Sequence, residues 1–480
     1  MKRTLLFYLA ILFTQQIFSQ TGYQVKVTIK PLKNQYIYLG YYYGKVKALA
    51  DSALIDGNST AVFSGKQKLT GGIYFIVSPK KEILFELLFD KQQNFTISAD
   101  TANLPNSVVF AGSDDNSLFQ SYSKNIAITG KEINDLMTGL SNASSGADST
   151  RISEKLRVLN RQLLQSRTDI ENKFPASMLA TLFRSMKEPE IPPVEKHPGK
   201  KYDSLFAFQY YKTHYWDGIA FTDERLLRTP IFEPRLEKYY RELVAPDPDS
   251  IKKELDLMLV KSRSNNEMYR YLLTHFVQKY INPEYMGQDA VFVHLFEKYI
   301  NNNPQIDWFT EKYKKYMSDR AYSLMANLIG QPASNIEMID TSGKLKPLFE
   351  VQAPFTVICF WDPTCSHCKE LVPKVDSIFQ KKWKSAGVQV YGVMVDGGKE
   401  AWMQYIRENK LKDWIHVYQT EEQKNAVSAS GRASYKQLYD VFQTPVLYLL
   451  DKDKRIIAKK LTYLQLDDVM NIKMKNTSGK

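Results

Sequence analysis

Two cysteines separated by two residues, Cys365-Ser366-His367-Cys368, stand where an apolar run ends and a helical pattern begins. Phe355-Thr356-Val357-Ile358-Cys359-Phe360-Trp361 is apolar almost throughout, as suits a strand covered on both faces of a sheet. Asp362-Pro363-Thr364 stops that strand, and Leu371, Val375, Ile378 and Phe379 then recur with helical spacing. A helix N-terminus carries unpaired backbone N–H groups and a partial positive charge. Both stabilise a thiolate. Cys365 is therefore expected to be the attacking thiolate, and Cys368, one turn inside, the thiol that resolves a mixed disulfide. The spacing also permits a disulfide without a long loop. Half of a zinc site is the other reading of such a pair. The chain holds three cysteines, all between 359 and 368, and no second pair, so no metal is expected.

Downstream segments extend the pattern. Val388 to Asp396 reads as a second buried strand, and a helical stretch covers Ala401 to Lys410. Phe442-Gln443-Thr444-Pro445 leads into the strand Val446 to Leu450 and a turn at Asp451 to Lys454. With these elements, residues 329–480 resemble the exported thioredoxin-like proteins of the TlpA/ResA group. Trp361, Cys365, Cys368, Pro373 and the Thr444-Pro445 pair carry the resemblance. It implies an α/β thioredoxin-like fold and thiol–disulfide exchange without a cofactor. It also implies a cis Pro445 facing the cysteines, with Trp361 and Thr444 helping to shape a groove for substrate backbone.

The departures from that group bear on chemistry. Thioredoxin has a buried Asp six residues before its first cysteine, where this chain has Cys359. The group often has Glu three residues after the second cysteine, where this chain has Leu371; Glu370 falls on another helix face. The proton acceptor is left unassigned. His367 stands where Pro is usual. A His beside the thiolate, as in the strong oxidant DsbA, stabilises the reduced form and raises the reduction potential. His367 and Ser366 are thus expected to tune the dithiol, against the plainer reading of an exposed loop. Peroxiredoxins place Thr three residues before the reactive cysteine, whereas Thr364 directly precedes Cys365, so that peroxide-binding geometry is absent.

The remainder gives architecture and an address. Met1-Lys2-Arg3, the apolar run Leu5 to Phe13 and the polar Gln15, Gln16 and Ser19 follow the secretory signal pattern. Residues 1–20 are expected to be removed near Ser19-Gln20, leaving a periplasmic protein. No later segment offers roughly 18 uninterrupted apolar residues, so no integral membrane segment is expected in the mature chain. Residues 21–112 alternate with period two at Tyr23 to Lys30 and hold short β-prone runs between turns, predicting an antiparallel β-sandwich-like module. The tyrosines of Tyr36 to Tyr43 are expected to pack on a sheet face. The order of features resembles the small β domain, of unknown function, that precedes thioredoxin-like domains in many exported proteins of Gram-negative gut and soil bacteria. Residues 113–328 read as an all-α module, with Ile152, Leu156, Leu159, Leu163 and Ile170 at helical spacing and a break at Pro189 to Pro193. Thr222 or Asp223 is expected to cap a helix beginning near Glu224. Tyr215 to Pro230 looks like the signature of a helical domain often found at this place in such proteins. His197, His214, His275 and His294 show no metal-ligand spacing.

Charge narrows the partners. There are 64 basic and 52 acidic side chains, a formal +12, yet no dense basic run interleaved with aromatics, so no nucleic acid is expected. The expected partners are protein disulfides or dithiols and an unidentified recharging partner. A scaffolding protein with an auxiliary redox domain is the alternative, and a peroxiredoxin-like antioxidant is a third.

Overall fold

A computed structural model describes residues 22–143 and 145–478. The expected signal segment lies outside the described residues. The chain divides into two compact units. One runs to Leu243 and takes in Lys261–Tyr269; the other holds Val244–Val260 and Arg270–Lys480.

The first unit opens with strands β1 (Tyr23–Lys30), β2 (Tyr36–Tyr43), β3 (Val46–Leu54), β4 (Thr60–Gly65), β5 (Gly72–Val77), β6 (Ile83–Phe89), β7 (Asn94–Asp100) and β8 (Val109–Ala111). They form two sheets, β4-β1-β7-β8 and β3-β2-β5-β6. Alternation along β1 buries Tyr23, Val25, Val27 and Ile29, which share one core with Ile37, Leu39, Ile76 and Leu87 of the second sheet. Pairing is antiparallel except between β1 and β7, which run parallel. Parallel neighbours need a long crossover, and here the chain builds the whole second sheet between them. The tyrosines of β2 mostly pack: Tyr41 lies 5.6 Å from Tyr74, and Tyr42 lies 5.1 Å from Phe75 and donates to Glu86 at 2.7 Å.

Helices α1 (Asp114–Ser141), α2 (Gly146–Lys173), α3 (Met178–Met186), α4 (Ser204–His214) and α5 (Phe232–Glu242) follow. Ser113, Ser145, Ser177 and Asp203 cap the first four, each side chain accepting from a backbone N–H of the first turn. Asp223 caps as expected, but the segment behind it, Glu224–Arg228, is a single 3-10 turn. Pro230 removes a backbone donor and disfavours helix in the residue before it, so no longer helix can propagate. The helical region continues through α6 (Pro248–Ser262), α7 (Asn266–Tyr280), α8 (Asp289–Leu295) and α9 (Glu311–Met325).

The second unit contains β9 (Ile339–Asp340), β10 (Phe355–Trp361), α10 (Ser366–Ile378), β11 (Gln389–Met394), α11 (Lys399–Glu408), β12 (Ile415–Tyr418), α12 (Glu421–Ser430), α13 (Tyr435–Leu438), β13 (Val446–Asp451), β14 (Ile456–Lys459) and α14 (Tyr463–Ser478). Its sheet has the order β14-β13-β10-β11-β12-β9, with β10 parallel to β11 and antiparallel to β13. The apolar run of β10 supplies both faces. Val357, Cys359 and Trp361 face a core with Cys368, Val372 and Val375 of α10 and Leu466 of α14. Ile358 and Phe360 face a second core with Ile336, Leu348, Tyr439 and Tyr448. Lys459 of β14 is only 4% exposed and pairs with Asp289 of α8 and with Asn327 Oδ1 at 2.5 Å, tying the helical segment to the sheet.

Candidate redox site

The site lies where β10 gives way to α10. The Asp362 carboxylate accepts from the Thr364 backbone N–H and hydroxyl, both at 2.7 Å, closing an Asx turn that ends the strand. Cys365 is the N-cap residue of α10, in extended conformation, and its carbonyl accepts from Lys369 N at 3.0 Å. Cys368 lies one turn inside and is buried, while Cys365 is half-buried; all three cysteines are free thiols.

Position separates the two thiols electrostatically. Cys365 sits below the ordinary cysteine pKa, first because the Cys368 backbone N–H hydrogen-bonds it, helped by the Cys368 and Thr444 side chains and the His367 backbone N–H. Burial pushes Cys368 up to about 11, partly offset by the Asp362 backbone N–H at 3.4 Å. Burial, with the neighbouring Cys368, raises Cys359 further still, which makes it an inert core thiol. The arrangement offers a more acidic thiol toward the surface and a less acidic one behind it, the order suited to attack and then resolution.

Thr444 and Pro445 face this pair. Their peptide bond is cis, and the Cys365 thiol donates to the Thr444 carbonyl at 3.7 Å. Ser366 and His367 are exposed on the first turn of α10. The structure corrects the expectation for Trp361. It is fully buried, 5.3 Å from Tyr405 and 6.3 Å from His416, and so supports the site from below without forming groove surface. The cause is β10 itself: a strand covered on both faces leaves no side chain for a substrate to touch. Glu370 is exposed, and the position of the group's usual Glu is filled by half-buried Leu371.

Two neighbours escape sequence reasoning. Pro373 lies within α10 and cannot donate to the Lys369 carbonyl four residues back. The Tyr405 hydroxyl supplies that hydrogen bond at 3.4 Å. Pro373 signals a freed carbonyl, but nothing in the sequence points to Tyr405. His416 is buried, donates from Nε2 to the Leu411 carbonyl at 2.7 Å, and is pushed down to about 4 by burial. Its Nδ1 and the Trp361 Nε1 have no partner among the described residues. Gly392 lies against both. A Cβ there would come within 3.1 Å of His416 Nδ1 and 3.3 Å of Trp361 Nε1, a tight fit in which the two rings would have to give by a few tenths of an ångström. Among the described residues, no third His, Cys or carboxylate joins the dithiol at metal-ligand distances.

Comparison with known proteins agrees with this geometry. A sequence model of a thioredoxin-like family matches residues 355–456. Models of two domains of unknown function, DUF4369 and DUF5106, match residues 23–137 and 156–323. No curated protein matches. Among solved structures, a domain of a possible thiol-disulfide isomerase from Cytophaga hutchinsonii is 36% identical, with a TM-score of 0.28, over 32% of this chain and 97% of its own. A thioredoxin-like protein from Bacteroides caccae is 20% identical, with a TM-score of 0.45, over 60% of this chain and 98% of its own. The thioredoxin domain of a thiol-disulfide oxidoreductase from Bacteroides vulgatus is 25% identical, with a TM-score of 0.25, over 29% and 96%. The chain thus carries a thioredoxin-like C-terminal domain, which follows a DUF4369 β domain and a DUF5106 helical domain.

Proposed function

We propose that the protein is an exported, periplasmic thiol–disulfide oxidoreductase acting on protein substrates. The observation that carries this reading is the contrast within one dithiol: Cys365 lowered at the helix mouth, Cys368 raised behind it. In the reducing direction, the Cys365 thiolate attacks one sulfur of a substrate disulfide. That S–S bond breaks, a Cys365–substrate disulfide forms, and the departing substrate thiolate takes up a proton. Cys368 then loses its proton and attacks the Cys365 sulfur, releasing the second substrate thiol. Two electrons pass to the substrate, with one proton from Cys368 and one from solvent, and a Cys365–Cys368 disulfide remains. A dithiol partner returns the protein to its starting state; oxidation of substrates is the same sequence reversed.

Pro445 and Thr444 are proposed to hold substrate backbone beside Cys365, since they flank its sulfur. His367 is proposed to raise the reduction potential by stabilising the reduced dithiol, with Ser366 beside it. The test of function is reduction of a disulfide-bonded protein such as insulin, driven by dithiothreitol, by the full chain and by Cys365→Ser. Loss of the accelerated rate on substitution supports the reading. No acceleration by the wild-type chain favours the scaffolding alternative. For His367, redox equilibration against glutathione with a His367→Pro variant should place the variant at the lower potential; equal potentials overturn that role.

A further inference from the structure

We propose that α9, which precedes the thioredoxin-like domain, forms one wall of the polypeptide groove beside the dithiol, and that Tyr316 and Tyr322 select substrates with apolar or aromatic side chains near the reactive cysteine. This deepens the proposed function and rests on it. A groove of about 1050 Å³ opens next to Pro445. Its volume lies at the upper end of the range for ligand sites, about 300–1,000 Å³, enough room for several side chains of a polypeptide. One side is the redox domain: Leu371 of α10, Phe442, Pro445 and Leu461. The other side is α9, through Tyr316 and Tyr322.

Three observations choose the occupant. The groove adjoins the dithiol: Pro445 lines it, and the preceding residue, Thr444, accepts from the Cys365 thiol at 3.7 Å. Its aromatic walls are open, with Tyr316 44%, Tyr322 60% and Phe442 74% exposed. Its charges largely pair with one another. Lys315 pairs with Asp319 at 3.2 Å, and both Arg320 and Lys460 bind the buried Asp440, so three cations meet two carboxylates and one net positive charge remains. Most of the exposed lining is aromatic or aliphatic, and apolar side chains gain most from such walls.

The wall is also built to stay in place. Arg320 pairs with Asp440, the Ser323 hydroxyl donates to the Gln437 carbonyl, and Asn327 just beyond α9 donates to the Leu438 carbonyl at 3.0 Å. All three grip the segment that leads directly into Thr444 and Pro445. Tyr322 is braced against Phe296 at 6.1 Å.

The probes are two peptides with serine in place of the reactive cysteine, one flanked by Phe and Leu, the other by Ser and Gly. Binding to the full chain is read by titration, without redox chemistry. The wild-type chain should prefer the apolar peptide, and Tyr316→Ala/Tyr322→Ala should lose about 3- to 10-fold in affinity for each ring removed. Tyr316→Phe/Tyr322→Phe, which keeps the rings, should retain the preference and controls for folding. In turnover, the ratio of kcat/KM for insulin to that for oxidised glutathione should fall in the Ala variant. No preference by wild type, or an unchanged affinity and ratio in the Ala variant, overturns the proposal. Preferential peptide binding with no turnover of either disulfide would instead overturn the redox reading and leave the groove standing.

Discussion

At Cys365, hydrogen-bond donors at a helix mouth outweigh slight desolvation; at Cys368, one turn away, burial outweighs the donors. Alkylation with iodoacetamide should reflect this. In a Cys368→Ser protein, Cys365 should react with a half-maximal pH below that of an unperturbed cysteine in the unfolded chain. In a Cys365→Ser protein, the remaining thiols should stay nearly unreactive until about pH 10 or above, as follows from burial of the thiol form. Equal profiles would contradict the assignment. His416 gives a second pH effect. Its folded pKa near 4 lies below an unfolded value near 6.5, so below pH 6.5 the unfolded chain binds a proton that the folded one refuses. Stability should therefore be lost as pH falls from 6.5 towards 4, by on the order of 2–3 kcal/mol from this group. Urea unfolding at pH 7 and 4.5 should show a smaller difference in His416→Leu; an identical difference would refute the role. The cysteines were legible in the sequence because spacing and position fix their chemistry. His416 was not, because it meets Trp361 only across β-strand register.

At the scale of elements, Pro373 breaks one hydrogen bond of α10 and Tyr405 on α11 repairs it. Tyr405→Phe should hand the Lys369 carbonyl to water and cost at most about 1 kcal/mol. Urea unfolding of the variant against the wild type checks this; no loss would mean that the carbonyl finds another donor. The strands and helix around the dithiol were readable because their periods are unmixed: β10 is apolar on both faces and α10 carries one stripe. The same run already implied a buried Trp361, since a strand covered on both faces exposes no side chain. The segment after Asp223 misled because a good cap marks where a helix starts, and Pro230 decides how far it goes.

Over the whole molecule, helical periodicity told which faces are buried but not what buries them. Residues such as Asp289, Asn327 and Arg320 look like solvated polar positions in sequence, yet they grip the redox domain within one compact unit. Lys459→Met alone should strand the buried Asp289 carboxylate and destabilise that unit by about 3–5 kcal/mol. Lys459→Met/Asp289→Leu should recover much of the loss; urea unfolding of both variants decides, and an additive double loss would contradict the pairing. Cys365 is proposed to form the first bond to substrate. Incubating Cys368→Ser with a disulfide-bonded protein and mapping the adduct by mass spectrometry reads that bond. The expected product is a mixed disulfide on Cys365, released by dithiothreitol; no adduct, or one on Cys359, would overturn the assignment.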